Sequence, residues 1–192
     1  MSNSRILFRA LCGMLVVLLA GGSAAAFDTN IGVKAGVITD ATFDFEPTSS
    51  DDTAFELDSQ QSWSAQAFVE GPLYGNFRSV LSLDYHRLGN VGKSEMILQA
   101  GLGARYNFTL DRANRYAVGP GVSVGYGYLG DTRISDAGNL IMLTVSSEFV
   151  IFSEARTGFM FELAGLWALS GTADDFDVDG GPMLLVRGGL YF

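Results

Sequence analysis

The chain has 192 residues, with 12 basic against 21 acidic side chains, a net charge of −9, 24 glycines and only four prolines. The acidic balance argues against a nucleic-acid partner, which calls for a basic surface. Past the N-terminal leader the chain suits one domain and holds none of the 18 or so consecutive apolar residues of a membrane helix.

The first element is a leader. Arg5 and Arg9 form a charged start, Leu11–Ala20 is an apolar run too short to span a bilayer, and Ala24 and Ala26 occupy small-residue cleavage positions. That pattern predicts a secretory signal peptide over residues 1–26, with Phe27 as the first mature residue of a single domain over 27–192. Cys12 leaves with the leader, so the mature chain has no thiol and no disulfide. The leader takes two bases and no acid, leaving 10 bases against 21 acids, a mature net charge of −11.

Eight runs then alternate with period two, near 29–39, 62–71, 76–87, 95–108, 116–128, 139–151, 157–169 and 182–192. Most have the ~9–11 residues of a tilted membrane strand. Short links at Pro72–Gly75, Thr109–Arg115 and Phe152–Arg156 alternate with longer ones near Asp40–Gln61, Leu88–Ser94, Leu129–Gly138 and Ser170–Gly181. Short turns at one end and long loops at the other are the habit of outer-membrane barrels, with the loops outside the cell.

The two faces of these runs differ. One is nearly free of charge and apolar throughout. The other carries Lys34, Glu70, Arg78, Asp84, His86, Arg105, Glu148, Glu162 and Arg187: His86 aside, four positive and four negative groups. Such a balance predicts a lumen network of ion pairs, because a buried unpaired charge is prohibitive. A soluble barrel with its apolar face inward has the same alternation. The aromatics decide against it: Trp63, Tyr85, Tyr126, Tyr128 and Trp167 fall toward the loop end. Phe77, Tyr106, Phe108, Tyr116, Phe149 and Phe159 fall toward the turn end. Two aromatic girdles flanking an aliphatic band mark two membrane interfaces.

The last run sets Leu184, Val186, Leu190 and Phe192 in one apolar row that ends on the terminal aromatic. This ending resembles the C-terminal assembly signal of bacterial outer-membrane barrels. Together with the leader, the eight alternating runs and the loop asymmetry, it makes the mature chain resemble the small eight-stranded outer-membrane barrels of the OmpX and OmpA-transmembrane-domain type. The resemblance implies an all-β, antiparallel, up-and-down transmembrane barrel in the bacterial outer membrane. It implies partners in membrane lipid, lipopolysaccharide and, during biogenesis, the barrel-assembly machinery. The role implied is structural, membrane-stabilising or adhesive, without catalysis. A small channel of the OmpW type is the alternative, and a lipid A-modifying enzyme comes third.

Four features bear on those alternatives. Ser82, Asp84 and His86 are the residue types of a hydrolase triad, but neighbours on one strand face lie ~6.6–7 Å apart, so they read as members of the lumen network. Asp175, Asp177 and Asp179, followed by Gly180, have the spacing of a calcium loop without an EF-hand's closing acid; Ca2+ there is the one cofactor expectation. The first long loop is rich in acids and also holds Phe43, Phe45 and Phe55. Finally, the fifth run turns only small residues inward, Ala117, Gly119, Gly121, Ser123, Gly125 and Gly127. These make either a pore wall or room for long side chains such as Arg78, Arg187 and Tyr191, the second being the habit of eight-stranded interiors. Pro120, facing outward in that run, predicts a bulge.

Overall fold

A computed structural model describes residues 29–39, 41–48, 54–59, 62–90, 93–113, 115–130, 138–152, 157–173 and 176–192. The expected leader, residues 1–26, lies outside the described residues, as do Asp40, Asp174 and Asp175. The strands are β1 (Asn30–Thr39), β2 (Ala41–Pro47), β3 (Phe55–Ser59), β4 (Ser62–Tyr74), β5 (Phe77–Asn90), β6 (Lys93–Tyr106), β7 (Phe108–Thr109), β8 (Tyr116–Gly130), β9 (Gly138–Phe152), β10 (Gly158–Ala173) and β11 (Phe176–Tyr191).

Eight of them form a closed ring in the order β1-β4-β5-β6-β8-β9-β10-β11, with β1 returning to β11. Closure leaves no strand edge within the ring, the condition for a sheet in lipid. The closing seam runs from Gly32 opposite Tyr191 to Thr39 opposite Leu184. Phe192 extends it, giving its N–H to the Ile31 carbonyl (2.8 Å) and accepting the Ile31 N–H (3.0 Å). Gly36 sits where the seam is tightest: a Cβ there would run into the Val186 carbonyl.

The alternation of the sequence is the alternation of the wall. Ile31, Val33, Val37, Leu102, Val122, Val124, Phe159, Phe161, Leu163, Val186 and Leu190 point outward and are exposed, whereas Lys34, Glu70, Asp84, Arg105, Glu148, Glu162 and Arg187 are buried inside. An outward apolar, inward polar barrel is the reverse of a soluble one.

The structure corrects the sequence reading at four places. The link 40–61, read as a loop, contains β2 and β3. β2 pairs with β11 in the same sense as β1 does, from Phe43 opposite Gly180 to Pro47 opposite Phe176, so it continues β1 past residue 40. β3 pairs with β2 (Ala41 opposite Ser59) just above the β1–β4 ladder (Ile38 opposite Ser62), so it leads into β4. Likewise the link 170–181 is mostly strand: β10 runs to Ala173 and β11 starts at Phe176. The wall therefore rises on one side into a wing of β10, β11, β2 and β3.

The third correction is local. Pro120 makes no bulge. Its pairing with Ser147 on β9 is in register, and on the other side the ladder lapses between Arg105–Gly121 and Phe108–Val118. Having no N–H, Pro120 interrupts the ladder and splits the fourth run into β6 and β7. Register shifts lie elsewhere: at Pro72–Tyr74 opposite β5, and around Ala168 of β10 opposite both β9 and β11, where Gly181 takes a φ of 110° that favours glycine. Those around Ala168 switch the inward parity of β11 from Val178 above to Met183 and Leu185 below.

The fourth correction concerns what fills the glycine wall of β8. The side chains nearest it are Arg105 at Gly119, Ser146 at Gly121, Gln99 at Gly125 and Ile97 at Gly127, and Arg78, Arg187 and Tyr191 are not among them. A Cβ at Gly119 would come within 2.6 Å of Arg105 Cδ, and one at Gly125 would run into Gln99; on β6, one at Gly101 would come within 2.7 Å of Ser82 Oγ. The glycines make room for the long side chains of β6.

At the turn end, Asp111 orders the link between β7 and β8 by accepting the N–H groups of Arg115 (2.7 Å) and Tyr116 (3.0 Å). Desolvation favours its neutral acid, but those bonds and the Arg115 guanidinium outweigh it and hold the carboxyl below its ordinary range.

Candidate functional site: a layered lumen and an acidic wing

The inward residues sort into three layers along the barrel axis. At the loop end Leu88, Ile97, Leu129, Leu140, Met142, Leu166 and Met183 form an apolar cluster with Phe43 and Phe45 of the wing. At the turn end Phe68, Val150, Met160 and Tyr191 form a second. Charges occupy the zone between and beside them.

Those charges join into one chain of alternating sign. Arg78 Nε meets Glu70 Oε1 at 3.0 Å, and Arg105 bridges Glu70 and Glu148. Lys34 joins Glu148 to Glu162 (3.1 Å to the latter). Arg187 then joins Glu162 (2.5 Å) to Asp84 (2.9 Å). Every wall strand except β8 supplies a member, and β8 supplies the glycines that give space. Neutral groups cap the remaining lone pairs: Tyr191 OH donates to Glu70 Oε1 (2.6 Å), while Gln66 and Ser82 donate to Asp84 (2.7 Å each). Taking charges out of water is costly unless each finds partners, and strict alternation gives each interior member two opposite neighbours.

The expected lumen set is thus assembled, except that His86 is a bystander. It is 1% exposed, and its one polar side-chain contact is with Gln99, neither ring nitrogen making a well-formed hydrogen bond to any other described residue. This bears on the triad. Ser82 and Asp84 do lean together, contrary to the spacing argument, since Ser82 Oγ donates to Asp84 Oδ2. A serine nucleophile needs its proton taken by the histidine, with the carboxylate behind it. Here the hydroxyl is tied to the carboxylate and the imidazole to neither.

Several of the expected girdle aromatics meet in contacting pairs. At the loop end Trp63 and Tyr85 are 5.2 Å apart between ring centroids. At the turn end Phe77–Tyr106 (4.8 Å), Tyr106–Phe108 (4.4 Å) and Tyr116–Phe149 (6.3 Å, nearly parallel) form contacting pairs. Leu184, Val186, Leu190 and Phe192 form the outward row of β11, all exposed.

Asp177 and Asp179 do not lie in a wrapping loop. They stand on the outward face of β11, opposite Glu46 and Asp44 of β2, and Asp44 stands opposite Glu56 of β3. The wing thus presents five exposed carboxylates in like-charged cross-strand pairs. Among the described residues no three His, Cys, Asp or Glu side chains are grouped closely enough to hold a metal ion. The sequence reading missed this ladder, although Phe176 to Asp179 already alternates.

No protein-family model matches the chain, and no curated protein does. Solved structures do. Neisserial surface protein A (NspA) superposes with a TM-score of 0.54 at 11% identity, over 85% of this chain and 95% of that one. Ail, the attachment invasion locus protein of Yersinia pestis, gives 0.41 at 10% identity over 85% and 99%. The outer membrane protease OmpT from Escherichia coli gives 0.44 at 8% over 86% and 96%. At such identities the likeness concerns architecture: the chain has the fold of the small outer-membrane β-barrels.

Proposed function

We propose that the protein is a non-enzymatic barrel of the bacterial outer membrane whose work is done at its surface, as a structural or adhesive element. The observation that carries this reading is the lumen. An alternating chain of eight charges, with apolar clusters on the loop side and the turn side, is a filling that stiffens the wall. Conduction would need a continuous wet path, and hydrolysis a reachable nucleophile with a base. The exposed chemistry lies instead on the wing, whose carboxylates face the outer leaflet in the expected orientation. Lipopolysaccharide is anionic too, and divalent cations would bridge the two. That NspA is itself a surface protein agrees with this role.

The OmpW-type channel has the glycine wall in its favour, and the side chains of Gln99 and Arg105 against that wall weigh the other way. The lipid A-modifying alternative rests on His86. Three measurements test the set. The protein should fractionate with outer membranes and change gel migration on boiling, as closed barrels do. Planar-bilayer recordings should show no steady conductance, and a His86→Ala variant should leave labelled lipid A processed as the unaltered protein leaves it. Recovery from the soluble periplasm, with migration indifferent to boiling, would sink the reading. Steady single-channel steps would replace it with the channel.

A further inference from the structure

The apolar cluster at the loop end is built unlike the rest of the lumen. Its ring, Leu88, Ile97, Leu129, Leu140, Met142 and Met183, belongs to the wall and is fully buried. Further members come from the wing. Phe43 and Phe45, 0% and 1% exposed, reach in from β2 in the wing, with the Phe45 ring edge-on to Phe176 at 6.4 Å.

The strand that supplies them is paired on both sides, with β11 and with β3, yet like charges face one another across both ladders. β1 meets β11 over eight residue pairs, none of them like-charged. β2 meets β11 over five pairs, of which Asp177–Glu46 and Asp179–Asp44 oppose like charges. Like charges directly opposite one another destabilise a ladder. An open cleft of about 370 Å3 lies on that acidic face, lined by Asp44, Glu46, Ala54, Glu56, Asp179 and Phe45, so the outer side of β2 is solvated.

The floor of the cluster is polar and under-used. His86 and Gln99 lie one inward step below Leu88 and Ile97 on β5 and β6, each 1% exposed. Apart from a contact between these two side chains, both nitrogens of His86 and the Oε1 of Gln99 lack hydrogen-bond partners among the described residues. Buried polar atoms are ordinarily satisfied. Below them the charge chain is already balanced, so an additional ion would stand unpaired.

From these three observations the geometry points to a ligand site: the apolar chamber binds an uncharged amphiphile, an alkyl or aromatic alcohol, and Phe43 and Phe45 occupy it in the ligand's absence. The hydrocarbon body takes the place of the two rings. The hydroxyl meets His86 and Gln99, the imidazole offering a donor on one nitrogen and an acceptor on the other. An ionised head group is rejected because it would add an unpaired charge beside a neutral network. The like-charge ladder keeps β2 releasable, so entry is by peeling the wing strand and not by passage through the charged layer.

The site can be read by photolabelling the full protein in phospholipid nanodiscs with a diazirine-bearing long-chain alcohol, and mapping the adducts by mass spectrometry. Phe43→Ala/Phe45→Ala should raise labelling at Leu140 and Met142 well above that of the unaltered protein. Asp44→Cys/Asp179→Cys, two positions directly opposite on β2 and β11, should block that labelling when oxidised and restore it when reduced. His86→Leu should lower labelling by the alcohol and spare labelling by the matched alkane. If the Phe variant still shifts on boiling, and its adducts remain confined to lipid-facing residues such as Leu102 and Val124, the site is overturned. Equal labelling of the oxidised and reduced cysteine pair overturns it as well. The lipid-facing adducts report separately on the membrane reading: should Leu102 and Val124 stay unlabelled in every variant, the barrel-in-lipid assignment fails and not the ligand site.

Discussion

The charged zone inside the barrel and the outer face of the wing are built largely from the same side chain, the carboxylate, under opposite rules. Inside, Glu70, Glu148, Glu162 and Asp84 alternate with Arg78, Arg105, Lys34 and Arg187 until no charge is left over. On the wing, Asp44, Glu46, Glu56, Asp177 and Asp179 face one another with no described base among them. The difference is dielectric. In a low-dielectric interior an unpaired ion costs several kcal/mol. At a solvated surface, water and salt screen like charges so that the cost falls to a fraction of that. Balance is enforced where water is excluded, and surface composition is left free to serve a partner.

The sharpest way to break the comparison is to unbalance the interior. Arg187→Met removes the group that ties Glu162, Asp84 and Ser64 together and leaves two buried carboxylates short of a partner. The expected loss is ~3–5 kcal/mol in a urea titration in lipid vesicles. Adding Glu162→Gln should return part of it, since the two sites share a network. A loss no larger than that of a surface ion pair would mean that water reaches this layer.

Moving a charge to the wrong side of the wall tests the boundary itself. Leu83 stands outward between Ala67 and Ala100, and Leu83→Arg should cost ~2–4 kcal/mol if that row faces the bilayer midplane. Ser82→Arg, one residue along and facing in, meets crowding but also Asp84, and should cost less. The reverse ranking in folding titrations would invert the inward and outward assignments. Smaller again is the seam. Gly36→Ala sets a methyl against the Val186 carbonyl and should cost ~1–3 kcal/mol by overpacking, whereas Gly188→Ala, whose nearest neighbour would be the Met160 carbonyl at 3.9 Å, should be close to neutral.

How much of this was legible in the sequence follows from the range of the physics involved. The eight staves and their two faces were legible, because alternation is local and sign separation along it is hard to imitate. Lys34, Glu148 and Arg187 could be placed inside from parity alone. Which acid meets which base could not, because pairing depends on the stagger of strands far apart in the chain. Lys34 meets Glu148 across 114 positions. The wing was misread for a different reason. Acid-rich segments look like solvated loops, and the bulges near Ala168 and Gly181 switch parity, which hides the continuation of β10 and β11. The loop-end apolar cluster was not legible, because its inward Leu, Ile and Met residues sit on a face that the charges dominate. Phe43 and Phe45, which join it from the wing, were noted in sequence only as surplus hydrocarbon in a loop.

The gentlest test acts on the wing. Removing one like-charge contact with Asp44→Asn/Asp179→Asn should stabilise the β2–β11 ladder by ~0.2–1 kcal/mol, the usual scale of a cross-strand pair. The reading is limited proteolysis between residues 40 and 61 in intact barrels, where slower cleavage reports a firmer wing. Calcium should do the same to the unaltered protein by lying between facing carboxylates, and sodium at matched ionic strength should do so less, because screening falls off smoothly with ionic strength while coordination depends on the ion. In the Asn variant the calcium effect should shrink. Asp175, Asp177 and Asp179, first read as one cation loop, should no longer act together: Asp177→Asn should matter through Glu46 and Asp179→Asn through Asp44, their opposite residues. Equal protection by sodium and calcium would reduce the wing's response to plain screening and remove divalent bridging from the proposed surface role, while the buried network and the barrel it stiffens would stand.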